Sequence, residues 1–504
     1  MHNIGSWFSY FLSFLWILTL TLITIVKSFF SISKQSSNEV HRGRRIVVVG
    51  GGIAGCGAAY ALHKAGFDVT IYETSEKLGG NAKTHKWNDG ITTGLSVLAW
   101  PATYFRNYIH LLHELDIQTT TVKLPFMIRD NNQQHYYAHD MDNTELVKIF
   151  KNDLKRWDKI INMIRKYTNI YCNSELSMYH MSYFNVFNYI PLKLLCFLFN
   201  ISDRFYSTII VSVYSSSFLT TNLRYIPSSI LPLIDDLISV QYNRTPTMDT
   251  WMMSTSDDVF QRMTKNIQVN TLTPVTSVYI NENNSHIYIN NDPKCYYDRI
   301  IFACDAESTL KALNKQTSLL LQTLLKNITY TDDDDISFIK GIVHSDANVL
   351  PEQYKSLLVS KYSNFIDVRY DHHYPIYHNT FILSSWVPAA KDHVNLKPML
   401  VTYSSDQSIL SSINPNLIEG TIYNRRAHPY LTLRNMLISM LLRFVQGKQR
   451  MYFCGSYCTP GNGHDLSLLS GFVVAHVIGA PYPFEINSSA KRDFLRLQRI
   501  MGLE

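Results

Sequence analysis

The distribution of apolar and polar positions divides the chain before any motif is considered. From Met1 to Val26 there is no Lys, Arg, Asp or Glu. The apolar stretch 7–26 approaches the ~20 residues that cross ~30 Å of hydrocarbon. Lys27, Lys34, Arg42, Arg44 and Arg45 all follow it, and Trp7 and Tyr10 lie near its start. The pattern predicts one N-terminal membrane helix within residues 1–30, with the body of the chain on the cytoplasmic face. A cleaved signal peptide is the alternative, but the basic start and the small-residue exit are missing or weak. Residues 31–43 are polar and patternless, a linker. Arg45-Ile46-Val47-Val48-Val49 is then a β-branched run of the kind buried on both faces of a parallel sheet. Gly50 to Ala59 follows, and Tyr60 to Ala65 has helical character and stops at Gly66. Asp68 to Tyr72 is a second strand, followed by the acid Glu73. Residues 97–261 are aromatic and helical in tone. Within them, Ile190–Phe199 is too short to span a membrane and predicts core or a membrane-facing surface. Asp332-Asp333-Asp334-Asp335 predicts a solvated acidic loop, and Asp371-His372-His373 another loop. No internal repeat is visible.

Composition narrows the possibilities. With 504 residues, 46% hydrophobic and 17% charged, the chain has ample core for two or three domains. A net charge of +6 and the lack of an extended basic run argue against a nucleic-acid partner. The seven cysteines (56, 172, 196, 295, 304, 454, 458) have neither disulfide-scaffold nor zinc spacing, which favours a reducing compartment and no metal. Sequons at Asn200, Asn243, Asn283, Asn327 and Asn487 are of the number that chance yields in so Asn- and Ser-rich a chain.

The strand, helix and second strand enclose Gly50-Gly51-Gly52-Ile53-Ala54-Gly55, a G-x-G-x-x-G in its proper context. Gly50 suits a tight turn, Gly52 a close backbone approach to a pyrophosphate, and Gly55 close packing of helix on strand. The helix N-terminus offers N–H groups and a positive dipole end to phosphates. Glu73 stands where a carboxylate accepts hydrogen bonds from the adenosine ribose. The constellation predicts dinucleotide binding.

Glu73-Thr74-Ser75-Glu76-Lys77-Leu78-Gly79-Gly80 resembles the E-x-x-x-R-x-G-G signature of the flavin amine oxidase superfamily, which includes monoamine and polyamine oxidases and phytoene desaturases. Gly79-Gly80-Asn81-Ala82, Ile91-Thr92-Thr93-Gly94, Gly341-Ile342-Val343-His344-Ser345-Asp346, Phe453-Cys454-Gly455-Ser456-Tyr457 and Gly463-His464-Asp465 look like one branch of it. That branch comprises the predicted FAD-binding proteins found with cyclopropane fatty acid synthases. Thr92 stands where the branch carries Asp, and Asn81 where it carries His. The strand and turn through Val275 and the strand Ile300–Phe302 also resemble superfamily segments. The resemblance covers roughly residues 44–480.

It implies an α/β fold: a Rossmann-type FAD-binding domain with an interleaved α+β substrate domain. The expected FAD segments are 44–96, 262–330 and 446–485, the substrate regions 97–261 and 331–445, and 486–504 a tail. It implies non-covalent FAD, since no Cys or His matches an attachment motif. Contacts would come from Gly50, Gly51, Gly52, Ala54, Gly55, Glu73, Lys77, Gly79, Gly80, Asn81, Val275, Gly455, Asp465 and Gly471. Asp465 is a candidate for a ribityl hydroxyl, with a helix cap as its other reading. Lys340 resembles the amine oxidase lysine that holds a water against flavin N5; a surface lysine at a strand edge is the alternative. The implied activity is two-electron oxidation of a small substrate, a lipid or isoprenoid by the branch or an amine by the superfamily. A non-catalytic flavin-binding module is the rival reading.

Overall fold

The computed structural model of the chain describes residues 45–504 apart from 98, 173–184, 246, 282–285, 294, 314–316, 372–373, 388–396, 423–425, 427 and 485–487; of the first 44 residues it describes Thr19 alone. Two units emerge. The first takes residues up to Gly80, Phe260–Thr329 and Leu431–Glu504, the second Asn81–Val259 and Tyr330–Tyr430. The chain thus changes unit after Gly80, Val259, Thr329 and Tyr430, where the sequence reading drew boundaries after 96, 261, 330 and 445. The presumed tail contributes a helix, Ser488–Met501, to the first unit.

The first unit rests on a five-stranded, all-parallel sheet. Its strands are β1 (Arg45–Val49), β2 (Asp68–Tyr72), β3 (Gln268–Asn270), β4 (Arg299–Phe302) and β5 (Met451–Phe453), in spatial order β3-β2-β1-β4-β5. Ile46, Val47 and Val48 are fully buried, as strands covered on both faces require. Helix α1 (Ile53–Lys64) leaves β1 through the glycine loop, and α2 (His464–Ile478) follows β5. The two helices cross at close range because both carry a glycine at the contact. A Cβ on Gly471 would lie 2.2 Å from the Ala54 carbonyl oxygen, and one on Gly57 2.7 Å from Leu468 Cδ1.

The second unit is organised by a seven-stranded sheet. Its order is Ile418–Ile422, Lys340–His344, Leu400–Ser404, Tyr374–Ile382, Asn364–Asp371, Phe126–Asp130 and His135–Ala138. All neighbours are antiparallel except Asn364–Asp371 with Phe126–Asp130. Residues 97–261 therefore supply strands as well as helices, the longest helix being Lys151–Cys172.

Two expectations need correction. Among the described residues no helix is long and apolar enough to cross a membrane. Lys151–Cys172 has the length, but Lys151, Asp153, Lys155, Arg156, Asp158, Lys159, Arg165 and Lys166 rule it out as a span. The single-pass topology and its cytoplasmic orientation are accordingly set aside; the segment behind them, residues 1–30, and the linker 31–43 lie outside the described residues apart from Thr19. The acidic run 332–335 is not simply solvated. Asp332 turns inward to accept the Arg426 N–H (3.0 Å), and Asp334 accepts from the Ser337 hydroxyl (2.6 Å). In Leu192–Leu198 the apolar stretch is partly surface, with Phe197 78% and Leu198 61% exposed.

Candidate functional site

The site grows from the end of β1. Gly50 turns the chain with φ +109°, and a Cβ there would meet the Ala303 carbonyl carbon and Cys304 N at 2.8 Å. Only glycine meets both demands. Gly55 is as constrained, since its Cβ would lie 2.0 Å from the Gly50 carbonyl oxygen and 3.1 Å from Val48 and Ala303. Gly52 differs. Its backbone is extended (φ −74°, ψ 179°), and the nearest atom to a Cβ would be the Gly80 Cα at 4.0 Å. Gly52 is also the N-cap of α1, and no side chain caps that end. The loop thus presents bare backbone and a positive helix end on one side.

The second glycine pair is stitched to the first. The Gly79 N–H donates to the Gly51 carbonyl (2.9 Å), and Leu78 packs where a Cβ of Gly51 would stand. Gly80, at φ +59°, brings its backbone face to face with Gly52. Glu73 closes the arrangement. Its Oε2 accepts from the Gly51 N–H (2.7 Å), and its Oε1 from the Ser75 N–H (2.8 Å) and the Thr74 hydroxyl (3.0 Å). A carboxylate accepts about four hydrogen bonds, so Oε2 retains capacity for a further donor.

Val275 joins this cluster through its loop. Asn270 at the end of β3 accepts from the Glu73 N–H (2.9 Å), and Thr273 N–H donates to the Glu73 carbonyl (2.9 Å). Asn290 pins the same loop, accepting from Thr276 N–H (2.8 Å) and donating to the Pro274 carbonyl (2.9 Å). Val275 itself is half-buried, and Lys77 is exposed. Gly455 (φ +111°) follows β5; its N–H donates to the Ser470 hydroxyl (2.8 Å), and a Cβ there would approach Ala303 and Ala54 at about 4 Å. Ala54 is small enough for both Gly455 and Gly471 to approach it.

Two residues are engaged within the fold itself. Gly471 packs against the backbone of α1, which accounts for the glycine by helix contact. Asp465 is wholly buried in the first turn of α2, where the positive helix end favours a carboxylate. It lies close enough to Tyr482 to add to the effect of burial in raising that hydroxyl's pKa. Asn81 and Lys340 belong to the second unit. Asn81 is exposed, and its carbonyl accepts from the Ser96 hydroxyl (2.7 Å). Lys340 is exposed at the first position of its strand, in register with Ser404. Thr92, at the departure from the branch pattern, is exposed at the start of Thr92–Gly94.

Sequence reasoning overlooked Leu78, Ala303 and Cys56. The Cys56 thiol donates to the Gly51 carbonyl (3.3 Å) and is held well above the usual thiol range by burial and the Glu73 charge, so it is a loop clamp rather than a nucleophile. Its place one residue after Gly55 was the available signal. Among the described residues no group of His, Cys, Asp and Glu is arranged to hold a metal.

Residues 48–115, which contain both glycine motifs, match the family model of the NAD(P)-binding Rossmann-like domain. An L-amino-acid oxidase of Notechis scutatus scutatus is 42% identical over 118 residues, 23% of this chain and 21% of that protein. The chain spans still less, 13%, of the Crotalus adamanteus L-amino-acid oxidase. Among solved structures, a putrescine oxidase redesigned in cofactor binding superposes with TM-score 0.60 at 14% identity, covering 87% of this chain and 99% of that one. The fold is that of the flavin amine oxidases. The same fold serves a CLA-producing fatty acid isomerase from P. acnes, with TM-score 0.59, 12% identity, and coverage of 88% and 99%. The superfamily resemblance seen in the motifs thus extends to nearly the whole described chain as fold.

Proposed function

We propose that the chain is an FAD-dependent oxidoreductase of the amine oxidase type, holding FAD non-covalently in the first unit. One observation carries the reading: Gly52 and Gly80 face each other with bare backbone at the uncapped N-terminus of α1, with the Glu73 carboxylate beside them. A pyrophosphate fits that surface because N–H groups and the helix dipole meet its charge without a side chain intervening. In this reading Glu73 accepts from ribose hydroxyls, Val275 packs on the adenine side, and Gly455 lets the end of β5 approach the ring system. When bound, FAD would supply the two-electron acceptor for a hydride taken from the substrate. The chain's part is to bind, orient and exclude water. Asn81, Lys77, Asp465 and Gly471 are weaker members of the set, for the geometric reasons above. The substrate is a small molecule, a lipid or isoprenoid by the branch-like motifs or an amine by the superfamily.

The visible spectrum of purified protein tests this. The expected result is a flavin spectrum whose colour passes to the supernatant on acid precipitation. Colourless protein that takes up no added FAD would overturn the reading.

A further inference from the structure

In the second unit, one face of the helix Lys151–Cys172 packs on nothing. At 3.6 residues per turn Lys151, Asn152, Lys155, Lys159, Asn162 and Lys166 fall within a sector of about 100°, and all six are exposed. Leu154, Trp157, Ile160, Ile161 and Ile164, on the other side, are buried. The four lysines make no ion pair or hydrogen bond among the described residues. Lys151, Lys155 and Lys159 repeat at i, i+4, where like charges repel. The row therefore weakens the helix taken alone and gains from an external anion.

An apolar ridge runs along the flank of the same helix. Tyr167 meets Phe187 edge to face, ring centroids 5.3 Å apart, and Arg156 donates to the Asn200 carbonyl (2.7 Å). Asp153 accepts from the Ser202 N–H (3.0 Å) and hydroxyl (2.8 Å). Residues 187–202 thus lie antiparallel beside positions 167–153. From Asn185 to Ile201 the single charged residue is Lys193. Phe187, Leu192, Leu195 and Cys196 are buried, whereas Val186 and Tyr189 are nearly half exposed and Phe197 and Leu198 more than half.

The nearby acids do not neutralise this surface. Asp153 faces Arg156, Asp203 pairs with Lys193, and Asp158, Asp235 and Asp236 share Arg165 and Arg244 on the far flank. That flank leaves one acid in surplus, and Asp142 and Glu145 precede the helix. Against these three stand Lys148, Lys151, Lys155, Lys159, Lys166 and, beside Lys193, Arg224, all exposed. Six against three is an excess of three positive charges, and Glu175, outside the described residues, lowers it to two at most.

We propose that this face docks reversibly on an anionic lipid surface. Phe197 and Leu198 enter the boundary between headgroups and acyl chains, and Lys151, Lys155, Lys159 and Lys166 meet the anionic headgroups. A protein partner is the weaker match, because lysine is depleted at protein interfaces. The contact is with one leaflet and needs no span. It is independent of the flavin reading, since every residue in it belongs to the second unit.

The apolar stretch 7–26 can hold the whole chain on lipid, so the readout must be local to the face. Full-length Phe197→Trp protein, with Leu198→Trp as the alternate reporter, is mixed with vesicles whose acyl chains are brominated. One set is phosphatidylcholine alone; the other is one-third phosphatidylglycerol. Quenching of the unsubstituted protein's own tryptophans is subtracted, and thermal melts check folding. The indole at 197 should be quenched about twofold or more strongly on the anionic vesicles than on the neutral ones. High salt should erase that difference, as should changing Lys151, Lys155, Lys159 and Lys166 together to Gln. Equal quenching on the two vesicles, none at 197, or a difference that survives loss of the four lysines overturns the proposal. So does an assembly, seen by light scattering, that Phe197→Ser dissociates, since the ridge would then be a protein interface.

Discussion

Gly50, Gly52 and Gly55 are glycines for different reasons, and substitutions separate them. At Gly55 any side chain collides with the backbone of the same loop, 2.0 Å from the Gly50 oxygen, so Gly55→Ala should cost upwards of about 2 kcal/mol and lower the melting temperature by several degrees. At Gly52 the backbone is ordinary and a Cβ has room. Gly52→Trp should therefore melt close to the flavin-free parent yet take up no flavin, because the indole stands where the pyrophosphate would lie. Full flavin occupancy in that variant would show that the phosphates bind elsewhere. Lys340 is the other residue worth isolating. Its strand resembles the one whose lysine serves oxygen reactivity in amine oxidases, and it is exposed. Lys340→Met should slow oxygen consumption at least tenfold with flavin content unchanged, and an unaltered rate would make it a surface lysine.

The crossing of α1 and α2 decides much of the first unit's stability. Gly471 sits 2.2 Å, in Cβ terms, from the Ala54 carbonyl, and the listening partner on the other helix is backbone that cannot swing aside. Gly471→Val should destabilise by about 1–3 kcal/mol, read as a lower urea midpoint with unchanged slope. A neutral result would mean that the helices part easily. This contact also shows what was legible in sequence. β1, the glycine loop, α1 and β2 are contiguous, so local pattern alone predicts them, and the acid after β2 falls where the loop needs it. Gly471 looked like a ligand contact because its partner, Ala54, is four hundred-odd residues away in sequence, and no local pattern encodes a helix crossing. Asp465 is open for a similar reason: in sequence, an acid two residues into a helix looks the same whether it faces a ligand or the core. The strands Phe126–Asp130 and His135–Ala138 were hidden inside an aromatic, helical stretch: they form a hairpin, but it joins the sheet only through the non-local pairing of Phe126–Asp130 with Asn364–Asp371.

Across the whole molecule the buried histidines set a direction for stability against pH. Burial pulls His139, His344, His378 and His428 down to about 4 and His464 to about 3. Geometry agrees for two of them. His139 Nδ1 accepts from the Phe126 N–H (3.2 Å) and His344 Nδ1 from the Asp346 N–H, contacts that only an unprotonated nitrogen makes. In the unfolded chain each imidazole takes a proton near pH 6.5. Between that value and about 4 the unfolded state therefore binds protons that the folded state refuses. The stabilisation is complete above pH 6.5 and is lost as pH falls toward 4, at a limit of about 1.4 kcal/mol per pH unit for each histidine. Urea melts at pH 7.5, 6.5 and 5.5 lie above the main carboxylate range and should show a falling midpoint. Four of the five histidines lie in the second unit, so a probe of that unit should fall furthest. His344→Gln provides the control: an amide oxygen can still accept from Asp346 N–H but takes up no proton, so its melts should depend less steeply on pH than those of the parent. A midpoint that held steady or rose from pH 7.5 to 5.5 would mean that these imidazoles are charged in the folded protein.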